Sequence, residues 1–333
     1  MTSREDQLSS WLEKVLGITA PPITSASSDA SFRRYFRVPV DDYTLIVMDA
    51  PPSHENCEPF IHAARVFADA GLHVPRVLEQ DLQQGFLLLS DLGSTTYLAA
   101  MQGGDTDVNA LYGDAYLALV KLQLASGQEE FPPYDEALLL RELQLFPDWY
   151  VARHLQVELS SEQHESLQIT FDLLNRNILG QTPVYVHRDY HSRNLMVCEP
   201  NPGILDFQDA VFGAITYDLV SLLKDAYVKW EEEQILDWAI RYWQAARIAG
   251  LPVASDFADF YRDFEWMGVQ RHLKVLGIFA RLYHRDGKDG YLKDMPLVMH
   301  YLYSACTRYS ELRPLVKLLD QLQGKQPLVG YTF

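Results

Sequence analysis

Short apolar runs bounded by polar, small or proline residues recur in residues 1–93, which is the pattern of β-strands. The runs cover residues 23–38, 43–50, 74–78 and 86–89. Small residues at 25–31 divide the first run in two, so the pattern predicts five strands. Between the second and third runs, residues 53–70 place Phe60, Ala64 and Phe67 on one face, which predicts a helix.

From residue 94 onward the apolar spacing becomes helical. It recurs over residues 94–102, 108–125, 136–155, 160–179, 216–227, 231–249, 256–283, 295–309 and 311–323. The sequence therefore predicts an α+β fold with two lobes. Residues 1–93 form a small five-stranded antiparallel lobe with one main helix, and residues 94–333 form a large, mostly helical lobe.

A strand-like segment interrupts the helical lobe at residues 184–207. Residues 184–186 predict a buried strand, and 195–198 with 204–207 predict a hairpin around a proline-rich and glycine-containing turn. His187, Arg188 and Asp189, followed by Asn194, match the H-R-D-x-x-x-x-N catalytic loop of phosphotransferases. The hairpin is expected to return a second carboxylate, Asp206, toward this loop.

These side chains suit phosphoryl transfer from ATP, which depends mainly on positioning and charge stabilisation. We expect Asp189 to orient the acceptor hydroxyl and finally to take its proton. Asn194 and Asp206 are expected to bind Mg²⁺, which prefers oxygen ligands. Asp218 either holds the catalytic loop through its carboxylate or is an ordinary acid at a helix N-terminus.

Two segments of the first lobe are candidates for nucleotide binding. A turn of small residues allows backbone N–H groups to approach phosphate oxygens, although a solvated hairpin turn has the same composition. This turn comprises Ser27, Ser28, Asp29, Ala30 and Ser31. Arg33, Arg34 and Arg37 follow it, and strand alternation sends Arg34 to one face and the other two to the opposite face. Farther on, Asp91, Leu92 and Gly93 are expected to border the adenine.

Composition and charge narrow the class of protein. The formal net charge of −17, from 45 acidic against 28 basic residues, disfavours a broad nucleic-acid or anionic-membrane surface. The three cysteines are far apart in sequence, which indicates a reducing compartment. The N-terminus lacks the apolar core of a signal peptide, and no apolar run is long enough to cross a bilayer. We therefore predict a cytoplasmic enzyme without an obligate protein partner.

The motif with His191 two residues after Asp189, together with Ile204-Leu205-Asp206-Phe207, resembles the aminoglycoside phosphotransferase and choline kinase group of small-molecule kinases. This resemblance implies the two-lobed protein-kinase-like fold and the use of ATP and Mg²⁺. It also implies that His191 belongs to the substrate side of the catalytic loop.

Further segments resemble the bacterial cell-wall amino-sugar kinases within that group. They are 28–35, 47–52, 86–93 and 270–282, and they extend over most of the chain. The resemblance implies transfer from ATP to the anomeric C1 hydroxyl of N-acetylmuramate or N-acetylglucosamine, giving an α-1-phosphate in peptidoglycan recycling. Asp209 is a candidate for a sugar hydroxyl or an ordinary turn or helix-cap residue. Arg271, with His272 and Lys274, is a candidate for a sugar carboxylate or a solvated helix residue.

One position departs from the family pattern. Met48 stands where the phosphate-binding lysine is expected, and methionine cannot pair with phosphates or with Glu58 on the predicted helix. An arginine, Arg33, Arg34 or Arg37, is expected to supply the cation instead. The alternatives are a related kinase acting on choline, an aminoglycoside or another sugar, and a nucleotide-binding regulatory pseudokinase.

Overall fold

The structure is a computed structural model that describes residues 3–19, 21–27, 32–127 and 129–324. Its strands are β1 Thr24–Ser27, β2 Arg34–Val40, β3 Tyr43–Asp49, β4 Val77–Asp81, β5 Phe86–Ser90, β6 Pro183–Val186, β7 Leu195–Met196, β8 Gly203–Ile204 and β9 Val211–Ala214. Its helices are α1 Arg4–Leu16, α2 Glu58–Asp69, α3 Tyr97–Gly103, α4 Val108–Leu124, α5 Glu136–Leu143, α6 Ser161–Leu179, α7 Tyr217–Leu223, α8 Glu232–Ile248, α9 Phe257–Asp286, α10 Met295–Arg308 and α11 Arg313–Leu322. A π-helix covers Phe146–His154, and 3₁₀ turns cover Asp289–Asp294 and Ser310–Leu312.

The chain divides into two compact units. The first comprises Met1–Leu122 and Arg193–Ala210, and the second comprises Gln123–Ser192 and Val211–Phe333. The first unit contains the predicted sheet lobe and adds α3, most of α4 and the β7–β8 hairpin. Among the described residues, no helix is long and apolar enough to cross a membrane.

The sheet of the first unit has five antiparallel strands in the order β1-β2-β3-β5-β4, which confirms the predicted sheet. One face is covered by α1, which begins with a Ser3 capping box and ends at Gly17 in the left-handed region. Leu8, Trp11 and Leu12 of α1 pack on that face against Val47 and Phe86, among other apolar residues of β2, β3 and β5. Alternation along β3 therefore turns Met48 away from α1.

Helix α2 begins at Glu58, five residues later than predicted. Pro59 lies in its first turn, where a residue without an N–H group is tolerated, and Asn56 accepts a hydrogen bond from the Glu58 N–H at 2.9 Å. The predicted start of this helix at residue 53 is thus wrong. Phe60 and Phe67 of α2 contact the ring of Phe207, with centroids 4.9 and 5.6 Å apart. This packing anchors the segment just after Asp206 to the first unit.

The second unit is built around α9, a 30-residue helix whose residues from Phe264 to Gly277 are all buried. Gly277 allows a close approach, because a Cβ there would overlap the backbone of Leu145. Strand β6, which leads into the catalytic loop, pairs antiparallel with β9. The short strand β9 was absent from the sequence prediction.

The single helix predicted over residues 136–155 is wrong. Helix α5 ends at Leu143, and a π-helix with Pro147 in its first turn follows. Proline has no N–H group to donate to the residue four positions earlier, so the regular hydrogen-bond ladder cannot pass through this position.

Candidate active site

The catalytic loop follows β6 in the second unit, and Asp218 holds its backbone. The carboxylate of Asp218 accepts hydrogen bonds from the N–H groups of His187 at 2.6 Å and Arg188 at 2.9 Å. This confirms the loop-holding alternative for Asp218. Burial raises the pKa of Asp218 to about 7 even though the two N–H groups favour its charged form. Arg188 has φ of 78°, an uncommon value outside glycine, so the loop is strained where Asp218 holds it.

Asp189 directs its side chain into a cationic environment and remains accessible, with 43% of the side chain exposed. Its backbone N–H donates to His187 Nδ1 at 3.2 Å, and its carbonyl accepts from the His191 N–H at 3.1 Å. Partial withdrawal of the carboxylate from water would raise the pKa of Asp189, but Arg271, His191 and Lys274 outweigh this effect and hold the pKa below its usual value. An ionised carboxylate is the form that can accept a proton.

Arg271 supports the loop rather than standing open to solvent. Its Nη1 donates to the carbonyl oxygen of Arg188 at 2.9 Å and to Tyr217 Oη at 3.1 Å. Its Nη2 lies 4.0 Å from Asp189 Oδ1, and the residue is buried. These contacts make Arg271 a positioning residue beside Asp189, whereas the sequence suggested contact with a sugar carboxylate.

A buried carboxylate, Glu142, joins the cations behind the loop. It is 5% exposed and pairs with Lys274 Nζ at 3.0 Å and with the guanidinium of Arg188. The hydroxyl of Tyr134 also donates to it, and Lys274 donates in addition to Tyr217 Oη at 2.9 Å. Burial would raise the pKa of Glu142, but Lys274 and Arg188 outweigh it and lower the pKa. The network links α5 and α9 to the residue directly before Asp189.

The predicted metal ligands lie together in the first unit. Asn194 Nδ2 donates to Asp206 Oδ2 at 3.2 Å, and Gln208 Nε2 donates to Asp206 Oδ1 at 2.7 Å. Asp206 has φ of 65°, a strained value for a residue with a side chain. Gln208 Oε1 is buried and accepts no hydrogen bond from the described part of the chain. This concentration of carboxylate and amide oxygens fits a hard cation such as Mg²⁺.

The three arginines predicted as phosphate-binding candidates each pair with a different carboxylate. Arg34 pairs with Asp49 at 2.6 Å on the α1 face of the sheet. Arg37 donates to Asp91 and, at 2.7 Å, to the carbonyl of Gly93. Arg33 pairs with Glu55 at 3.0 Å. The Asp91 side chain is therefore engaged in holding its own segment together, and Arg37 outweighs burial to lower its pKa.

The remaining predicted residues are less closely grouped. Glu58 is exposed in the first turn of α2, and Asp209 is exposed after Gln208. Leu92 is buried, and the ring of His191 makes an edge contact with Tyr227 at 5.4 Å. Residues 28–31 and the side chain of Ser27 lie outside the described residues.

Sequence reasoning missed Glu142 and Glu55, and it did not predict the pairing of Lys274 with Glu142. Glu142 and Lys274 occur in helical patterns where charged residues usually face solvent. The available signal was that both fall at positions of their helices that apolar spacing assigns to the core. Glu55 carried no signal, because its partner Arg33 lies 22 residues earlier in the sequence.

Comparison with known proteins agrees with this architecture. The profile of the phosphotransferase enzyme family matches residues 22–257. The N-acetylmuramate/N-acetylglucosamine kinase of Pseudomonas aeruginosa is 51% identical over 97% of this chain and 98% of its own length. The enzyme of that name from Neisseria meningitidis serogroup B is 49% identical over 99% of both chains. The crystal structure of a choline/ethanolamine kinase family protein from Mesorhizobium loti superposes with a TM-score of 0.63 at 14% identity, covering 96% of this chain and 100% of that one.

The fold is thus the protein-kinase-like fold of choline kinases, as the sequence predicted. The profile covers the sheet, the catalytic loop and the Asp206 hairpin, and the relatives are similar from end to end. Proteins of this kind transfer a phosphoryl group to a hydroxyl acceptor. The chain therefore belongs to the phosphotransferase enzyme family.

Proposed function

We propose that the protein uses ATP to phosphorylate the anomeric C1 hydroxyl of N-acetylmuramate and N-acetylglucosamine, giving the α-1-phosphate. The observation that carries this proposal is the identity of 49–51% to kinases of these two sugars over nearly the whole chain. The product would return cell-wall amino sugars to peptidoglycan synthesis, and we propose that the reaction takes place in the cytoplasm, where ATP is supplied.

In the proposed reaction the sugar hydroxyl oxygen attacks the γ-phosphorus of ATP. The new oxygen–phosphorus bond forms as the bond between the γ-phosphorus and the bridging oxygen breaks, and ADP leaves with that electron pair. Asp189 orients the hydroxyl and accepts its proton. The cations around Asp189 keep its carboxylate ionised, which supports this role.

Asn194 and Asp206 are proposed to hold Mg²⁺, which would neutralise charge on the ATP phosphates. Gln208, bonded to Asp206, would keep that carboxylate oriented. Asp218 and Arg271 hold the backbone on either side of Arg188 and so fix the direction of the next residue, Asp189. We propose that residues 27–31 cover the phosphates, that residues 91–93 border the adenine, and that His191 and Asp209 contribute to the sugar site.

Phosphorus NMR of the reaction product tests the acceptor and the position of transfer. Purified protein with ATP and Mg²⁺ is incubated with N-acetylmuramate and, separately, with N-acetylglucosamine. A phosphorus signal coupled to the anomeric proton is expected with both sugars. Phosphate on another carbon would reject the anomeric assignment, and absence of any product would reject both sugars as substrates.

The Asp189→Ala variant tests the proton acceptor. Its kcat is expected to fall by about 10²-fold or more while its affinity for ADP changes less than about twofold. Asp237→Asn, on the exposed surface of α8, is the matched control and is expected to turn over normally. Wild-type turnover by Asp189→Ala would remove Asp189 from the mechanism.

A further inference from the structure

The position of Met48 leaves the ATP phosphates without the cation that kinases supply from the third strand. We propose that Arg33, held by Glu55, takes this role and contacts the α- and β-phosphates of ATP. The inference rests on the proposed use of ATP and assigns a specific residue to it. The argument depends on which face of the sheet each arginine occupies and on what already holds it.

The pairing of β2 with β3 fixes the faces. Arg34 lies opposite Asp49, Tyr35 opposite Met48, and Arg37 opposite Ile46. Cross-strand partners project to the same face, so Tyr35 shares the face of Met48, and Arg34 shares the α1 face with Asp49. Arg33 directly precedes Arg34 and interacts electrostatically with Tyr35, which places it beside the Met48 face.

Arg34 is unsuited to the role because it belongs to a buried ion cluster on the other face. The Asp49 carboxylate is fully buried and accepts from Arg34 on Oδ2 and from Arg4 on Oδ1, each at 2.6 Å. Withdrawing Arg34 toward a nucleotide would leave part of a buried carboxylate uncompensated, which is costly.

Arg37 lies on the Met48 face but already has a structural task. It holds Asp91 with two nitrogens and the Gly93 carbonyl with one of them. Thr44 and the Gly93 N–H complete the shell of Asp91. Moving Arg37 would break the hydrogen bonds that hold residues 91–93, so its guanidinium cannot turn toward a phosphate without this loss.

Arg33 has the geometry that the role needs. Its Nε and Nη2 both lie 3.0 Å from Glu55 Oε2, and the two side chains are only 14% and 13% exposed. A guanidinium can bind a carboxylate along one edge and a phosphate along another, as a lysine–glutamate pair does with a single ammonium. Burial would lower the pKa of Arg33, but Tyr35 and Glu55 outweigh it and raise the pKa.

A second contact fixes the pair in place. The ring of Phe32 packs on the ring of His54, with centroids 4.6 Å apart, directly beside the Arg33–Glu55 bond. Two consecutive residues just before β2 thus contact two consecutive residues in the loop before α2. Arg33 is also the first of the three arginines after residues 27–31, the proposed phosphate turn. The cation would therefore come from the residue just before β2 instead of from the middle of β3.

Calorimetry with ADP, without any sugar, tests the assignment. Arg33→Met is expected to weaken ADP binding by about 10- to 100-fold, because a charged hydrogen bond to phosphate is lost. The dissociation constant of adenosine, which has no phosphate, is expected to change less than about twofold in the same experiment. Arg33→Lys keeps the charge and should recover part of the ADP affinity. Arg65→Met, which removes an exposed arginine of α2 paired with Asp69, is the matched control.

Glu55→Gln separates positioning from direct contact. We expect a smaller loss of ADP affinity than for Arg33→Met, and no further loss when Glu55→Gln is added to Arg33→Met. ADP affinity within twofold of wild type in Arg33→Met would overturn the assignment, as would equal losses for ADP and adenosine. Failure of the wild type to phosphorylate amino sugars would reject the proposed acceptor, and the ADP comparison would still decide the role of Arg33.

Discussion

Replacing the buried Glu142 by glutamine should destabilise the second unit strongly. Glu142 is the carboxylate shared by Lys274 and Arg188, and it is 5% exposed. The amide in Glu142→Gln keeps the shape and one acceptor oxygen but leaves two buried cations without their counterion. Removing one partner of a buried ion pair costs about 3–5 kcal/mol, and the retained hydrogen bond places the expected loss near 3 kcal/mol.

Urea unfolding followed by tryptophan fluorescence measures this loss where it occurs. Every tryptophan except Trp11 belongs to the second unit, so the signal reports mainly on that unit. The matched control is Asp237→Asn, which breaks an ion pair with Arg241 whose side chains are 59% and 46% exposed. An exposed helical pair of this kind contributes about 0.5 kcal/mol or less.

The pH dependence gives an independent check on the same charge. Lys274 and Arg188 outweigh burial and lower the pKa of Glu142 below its ordinary value of 4.5. The stabilisation is therefore complete above that value and is lost as the pH falls through the lowered pKa of the folded state. The difference between wild type and Glu142→Gln should be full at neutral pH and shrink in acid. A loss no larger than that of Asp237→Asn at neutral pH would refute the reasoning.

Three other changes have expected outcomes. Asp218→Asn replaces an acceptor of one loop N–H by a donor, and kcat should fall by about tenfold with little change in the KM for ATP. Arg34→Met leaves Asp49 with one arginine, and calorimetric unfolding should show a loss of about 1–3 kcal/mol with unchanged ADP affinity. Gly277→Ala forces a Cβ against the Leu145 backbone, and unfolding in urea should show a loss of about 2 kcal/mol or more.

Each of these changes has a control in the same chain. For Asp218→Asn it is Asp237→Asn, and equal kcat values in the two variants would contradict the loop-holding role. For Arg34→Met it is the exposed Arg65→Met, and equal stability would show that Asp49 does not need its second arginine. For Gly277→Ala it is Gly103→Ala, where a Cβ meets no atom within 4 Å. Equal free energies of unfolding for Gly277→Ala and Gly103→Ala would mean that the Leu145 backbone shifts aside at no cost in stability.

Local patterns predicted the elements that depend on local chemistry. The five strands appear in the sequence as short apolar runs bounded by polar, small or proline residues, so the sheet was predictable. The loop at 187–194 was recognisable because phosphoryl transfer requires those side chains at that spacing. Asp218 was predictable only as one of two alternatives, because an acid near a helix start has an ordinary role as well.

Features that depend on tertiary pairing were not predictable in this way. The pattern over 136–155 is apolar at helical spacing, and periodicity alone cannot show that the ladder rearranges around Pro147. Strand β9 is short and owes its existence to pairing with β6. The partners of Arg33, Glu142 and Lys274 come from distant parts of the sequence. A charge in a helical pattern does not reveal whether another helix supplies its counterion.

The distribution of charge over the two faces of the sheet explains why position 48 holds a fully buried, uncharged methionine. On the α1 face a buried carboxylate, Asp49, holds two arginines, so no cation there is available to a nucleotide. On the opposite face Met48 is packed without contact to solvent, where a lysine without a counterion would be costly. Glu58, in the first turn of α2, is exposed and does not provide a counterion for a lysine at position 48. The acid that is largely withdrawn from solvent is Glu55, which precedes α2 and pairs with Arg33, the residue before β2. The ion pair is therefore formed by Arg33 and Glu55, which lie outside the strands and outside α2, and the middle of β3 is apolar.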